Sequence, residues 1–165
     1  MQVQDLLDDV PLSQGSVIPL TMKQLLREEL NIADNWQHAE GLLRQAIAHM
    51  PEQLALKVAL YKLYAYSNRF AESLVVINQT LQQAADNCGF NADWANLTAA
   101  STQWFPATGD KRLYLYSLKA TGFVKLRSGD IDGAFQVLSK LLELDPQDQV
   151  GGSVVFEMAE QMLEV

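Results

Sequence analysis

The side chains best equipped for chemistry are few. His38 and His49 are the chain's two histidines, and Cys88 is its single cysteine. Imidazoles bind zinc or relay protons, and a thiolate attacks electrophilic carbon or sulfur. The two histidines fall eleven positions apart. On one helix they share a face but stand about 16 Å apart at ~1.5 Å per residue, too far to share an ion. Cys88 has no histidine close in sequence, so a nucleophilic role needs a base brought by folding. Gly151-Gly152 and the Gly129/Gly133 pair lack the Gly-Lys-Ser/Thr ending of a phosphate loop. Asp8-Asp9 and Glu28-Glu29 are sequence neighbours, which turns them to different faces of a helix. Carboxylates that share acid/base work must converge on one bond, so these read as solvated charge. No catalytic residue, no metal ligand and no cofactor is predicted, and the chain reads as a non-enzyme.

Charge narrows the partners. The 165 residues carry 20 acidic and 12 basic side chains, a net charge of -8. An acidic chain is a poor match for phosphate backbones, so nucleic acid is not expected. Hydrophobic residues make up 48% and charged residues 19% of the chain, an ordinary globular balance with enough length for a continuous core. No apolar run reaches the ~18 residues of a membrane span. Asp5, Asp8 and Asp9 replace the basic start of an export signal. With one cysteine and no signal, a cytoplasmic location is expected. Against this acidic background, Lys111, Arg112, Lys119, Lys125 and Arg127 form a run of five cations with no acid among them. Either they offset Asp130, Asp132 and Glu143 on the next segment, or they make a positive face for an acidic partner.

The elements that would position these residues are helices. Leu42, Leu43, Ala46 and Ile47 recur at three and four spacing, as do Leu74, Ile77 and Leu81, and Ala134, Leu138, Leu141 and Leu142. No stretch shows sustained apolar/polar alternation, so no strand is predicted. An arm is expected over 1–19, with a short helix at 2–9 before Pro11, Gly15 and Pro19. Three windows of 34 residues align without internal gaps: 20–53, 54–87 and 115–148. An insertion over 88–114 separates the second from the third, and an amphipathic helix over 149–165 follows as a cap. Residues 20–165 thus read as one domain.

These windows carry a repeat signature. The third supplies Gly122, Gly129, Asp130, Ala134, Leu138 and Pro146, although Leu141 stands where a small residue is usual. The first supplies Ala39, Leu43, Ala46 and Pro51, and the second fills the same places with Ser73, Ile77 and Thr80. Small residues let two helices of a hairpin approach, and large ones fill the groove between them. In this pattern the chain resembles the tetratricopeptide repeat family. The resemblance implies an all-α solenoid of about three helical hairpins, with an insertion and a capping helix. It also implies a protein-binding adaptor or assembly factor, with a bacterial secretion-type chaperone or a self-associating structural subunit as alternatives.

The first helix of each pair lines the concave groove in that family. Carried over, the groove positions are Ala55, Val58, Lys62, Ala65 and Tyr66 in the second window, and Tyr116, Lys119, Phe123, Leu126 and Arg127 in the third. Lys62, Tyr66, Tyr116, Lys119, Phe123 and Arg127 are the expected binding side chains. Their mixture of aromatic surface and cations suits a segment of another protein with acidic and apolar residues. Relatives that clamp a chaperone's terminal carboxylate use Asn and Lys or Arg where this chain has Ala59, Tyr116 and Ala120, so that clamp is not expected. The insertion holds Phe90, Trp94, Trp104 and Phe105. These rings either pack on the neighbouring hairpins or close over the groove as a lid; Trp94, Trp104 and Phe105 are the lid candidates. Within the insertion, a helix capped by Asn91 or Asp93 is expected to run toward Trp104.

Overall fold

A computed structural model describes residue 6 and residues 32–164. The expected arm over 1–19, the helix at 2–9 and the start of the window 20–53 lie outside the described residues, apart from Leu6, whose side chain is buried. Residues 32–164 form six α-helices and one short 3-10 turn, with no strand among them. The chain divides into two compact units, 1–76 and 77–165.

The first unit is built by apolar spacing and ended by turn residues. Helix α1, Ile32–His49, kinks at Asn35, where φ and ψ leave the helical region. Ala39, Leu43 and Ala46 follow at four and three spacing, and all are buried. Pro51 then disfavours continuation by restricting the backbone of Met50. Helix α2, Leu54–Tyr66, packs on α1. Ten of its 13 residues are buried, as expected for a helix apolar around its whole circumference. It ends at a turn in which Asn68 takes φ of 59° and the Arg69 amide donates back to the Tyr64 carbonyl at 2.8 Å. Asparagine tolerates this left-handed geometry better than most residues. Helix α3, Phe70–Cys88, begins in this unit and ends in the second. Its buried Ser73 donates from Oγ to the Tyr61 carbonyl at 2.8 Å, so α2 and α3 approach closely at a small side chain.

The second unit contains the cleaner hairpin. Helix α4, Gly109–Ser128, ends on Gly129 at φ of 92°, and the Asp130 amide donates to the Lys125 carbonyl at 2.9 Å. Glycine adopts this conformation without a steric penalty. Asp130 then caps helix α5, Ile131–Leu144, by accepting the Gly133 amide at 3.0 Å. Ala134, Val137, Leu138, Leu141 and Leu144 form the buried stripe of α5. Gly122 of α4 faces that stripe so closely that a Cβ there would fall 2.4 Å from Leu138. Helix α6, Gly152–Leu163, packs on α5 and α4. A Cβ on its Gly152 would fall 2.5 Å from Leu141, and Phe156 stacks on Phe135 at 5.2 Å between ring centroids. Asp148 accepts the Ser153 amide at 3.0 Å and its hydroxyl at 2.6 Å, closing the first turn of α6.

Candidate functional site

The run of cations on α4 divides by position along the helix. Lys111 donates to the Gln103 carbonyl at 2.6 Å, and Arg112 to the Gln149 carbonyl at 3.0 Å. Both therefore hold loop backbone. Lys125 reaches Asp130 at 3.4 Å, across the turn into α5. Of the acids on the next helix considered as counterions, Glu143 pairs at 2.6 Å with Lys140 on its own helix.

Lys119 and Arg127 are placed differently. Lys119 Nζ lies 4.5 Å from the centroid of the Tyr116 ring, and Arg127 Cζ lies 5.7 Å from that of Phe123. Positions 116, 119, 123 and 127 fall on one helix face at 100° per residue. The result is a ladder of aromatic and cationic groups along α4. Tyr116 is almost fully buried, Lys119 and Phe123 are half-buried, and Arg127 is exposed. Contact with a ring face helps hold a cation in place. Lys119 also adds to the pull on Asp148, whose carboxyl is held below the usual range chiefly by the Ser153 hydroxyl and amide.

The remaining groove candidates sit on α2. Ala55, Val58 and Ala65 are buried, Lys62 is half-buried and Tyr66 is exposed. In the same unit, the Tyr64 hydroxyl accepts from Arg44 at 2.6 Å and donates to Glu40. Burial is the main reason its phenol is shifted upward. Arg69 lies 3.9 Å above the Trp36 ring.

The insertion runs from the end of α3 to α4 without a long helix. Only Trp94–Asn96 turns, as 3-10 helix, with Asp93 accepting the Ala95 amide at 3.1 Å. The expected extension toward Trp104 does not form. Thr98 accepts the Ala100 amide on its hydroxyl, and Ser101 accepts the Thr98 amide, so short polar side chains satisfy the backbone locally in place of a helix. The three lid candidates separate. Trp104 is buried against Phe90 and Tyr114, with centroids 5.1 Å and 6.3 Å away, and its indole donates to the Thr98 carbonyl at 3.0 Å. Trp94 is half-buried and Phe105 is 53% exposed.

The residue that organises this segment has no sequence signature. Gln149 donates from Nε2 to the Trp104 carbonyl and to Asp145, both at 2.9 Å, and its Oε1 accepts the Ala107 amide at 2.7 Å. Asp145 is itself buried and accepts the backbone amides of Gln149 and Val150. Lys140 reaches the Leu97 carbonyl at 2.8 Å.

No constellation for covalent chemistry appears in the described residues. His38 and His49 are both exposed. Cys88 is half-buried, and burial with the nearby Asp110 pushes its thiol pKa up against the pull of Lys111. A raised pKa disfavours the reactive thiolate. No three His, Cys, Asp or Glu side chains among the described residues gather as metal ligands. No helix among them is long and apolar enough to cross a membrane.

No protein-family model matches the chain, and no solved structure matches it. The chain is similar to an uncharacterized 19.8 kDa protein in the nifW 5' region of Azotobacter chroococcum mcd 1, at 27% identity over 136 residues, covering 78% of this chain and 76% of that protein.

Proposed function

We propose that the chain is a tetratricopeptide-like helical array that binds another protein, acting as a cytoplasmic adaptor or assembly factor and not as an enzyme. The observation that carries this reading is the ladder on α4. Lys119 and Arg127 stack on Tyr116 and Phe123 along one face. Cations set beside the half-buried Phe123 ring suit a helix or peptide carrying acidic and apolar residues. The close approach at Gly122 supports the repeat reading, because hairpin packing of this kind requires a small residue facing a large one.

The test is charge reversal on the ladder. Affinity capture from the native host, read by mass spectrometry, is compared for the parent chain and Lys119→Glu/Arg127→Glu. The same partner should be lost from the double variant, with helicity by circular dichroism retained. An unchanged set of captured proteins removes the α4 ladder from the binding surface.

A further inference from the structure

Lys119, Phe123 and Arg127 follow one another at intervals of four residues. On a helix each interval is a rise of about 6 Å and a turn of roughly 40°. The two cations of the ladder therefore stand about 12 Å apart along α4, with an aromatic ring midway between them. Phe123 is half-buried and Arg127 exposed, so apolar surface lies beside the outer cation. Asp148 also acts on Lys119, which makes Arg127 the stronger of the two contacts for an incoming anion.

The same face holds no short polar side chain. Between Arg112 and Arg127 there is no asparagine or glutamine, and the hydroxyls other than tyrosine are those of Ser117 and Thr121. Both lie on the far side of α4, roughly 120° and 160° round the helix from Phe123. Both are buried, and Thr121 donates to the Ser117 carbonyl at 2.9 Å.

We infer that the partner presents a helix to this face, with two carboxylates eight residues apart and one apolar side chain midway. This rests on the binding role proposed for the ladder. An extended segment brings an amide and a carbonyl with every residue and needs groups that pair with them. The ladder face supplies charge and ring surface but no amide side chain for that purpose. A helix pairs its backbone within itself and shows its neighbour side chains alone. A partner helix laid along α4 has the same rise per residue. Its positions i, i+4 and i+8 then come level with Lys119, Phe123 and Arg127, whichever way its chain runs. Carboxylates at the outer two positions meet the cations, and an apolar side chain at the middle one meets the Phe123 ring.

The test uses three fluorescent peptides, with anisotropy read at about 0.15 M salt, where loose charge attraction is screened. The first is an Ala-rich helix of about five turns, long enough to be stable, carrying Glu-x-x-x-Leu-x-x-x-Glu. The second has the same composition with its second Glu moved two places earlier, to the far side of the helix. The third carries Glu-Thr-Leu-Thr-Glu among β-branched residues, which sets its carboxylates about 13 Å apart on one side of a strand. The full chain should bind the first at least about tenfold more tightly than either other. Lys119→Glu/Arg127→Glu should lose that binding and recover it with a fourth peptide, the first with both Glu replaced by Lys. Equal binding of the second peptide overturns the spacing, and equal binding of the third overturns the helix, while the ladder remains a binding surface in both cases. Binding of none of the acidic peptides, or no recovery with the charge-swapped pair, overturns the inference; the partner capture described above then decides whether the ladder binds at all.

Discussion

The α4–α5 hairpin and the segment from Gly89 to Thr108 lie in the same unit but are held by different forces. The hairpin is held by side-chain shape. Gly122 faces Leu138, Ala134 and Leu141 are fully buried, and one αL glycine with one Asp cap turns the chain between the helices. The segment is held by hydrogen bonds from long polar side chains to its backbone. Gln149 reaches the Trp104 carbonyl and the Ala107 amide, Lys111 the Gln103 carbonyl, and Lys140 the Leu97 carbonyl. Repetitive packing needs only the right size of side chain at each position. An irregular loop must instead find a partner for every buried backbone group, one at a time.

That difference defines the experiments. The largest effect is expected in the hairpin. Ala134 has no exposed surface, so Ala134→Trp must force α4 and α5 apart and should cost about 3 kcal/mol or more. Thermal unfolding should show a loss of several degrees. An unshifted transition would mean that the helices do not meet at Ala134.

Gln149→Ala should have an intermediate and local effect. It leaves the Ala107 amide and the Trp104 carbonyl without their partners, a cost of about 1–3 kcal/mol. Hydrogen exchange should speed up over the segment between Gly89 and Thr108 and change little in α5. Uniform acceleration through α5 would erase the distinction between the two regions.

The smallest effect concerns the acid limb of stability. Asp130 and Asp148 both have carboxyl pKa values below the usual range, chiefly through the Gly133 amide for the first and the Ser153 hydroxyl for the second. The unfolded chain therefore binds protons more readily than the folded one. Their contribution is present above the ordinary carboxylate pKa of about 4 and is lost as pH falls through the lowered folded values. Asp148→Asn should flatten the fall of the melting temperature below about pH 4. An acid limb identical to that of the parent chain would show that the Asp148 cap adds nothing to α6.

The two regions were also unequally legible in the sequence. The spacing of Ala134, Leu138 and Leu141 with Gly129 and Asp130 marks the hairpin, because helix periodicity and turn residues are local signals. The arrangement of Trp104, Phe90 and Tyr114 is not local, and nothing in the stretch around Pro146 marks Gln149 as their anchor. The run from Lys111 to Arg127 was visible as charge alone. Only the fold divides it into Lys111 and Arg112, which bond to loop backbone, and Lys119 and Arg127, which stack on rings.

The proposed partner of the α4 ladder is an acidic, apolar segment of another protein. A fluorescent amphipathic Leu/Glu peptide of about five helical turns, titrated into the parent chain and into Lys119→Glu/Arg127→Glu with anisotropy as the readout, checks that proposal. Saturable binding by the parent chain and a loss of at least about tenfold in the double variant are expected. Equal affinity for the two proteins would contradict it.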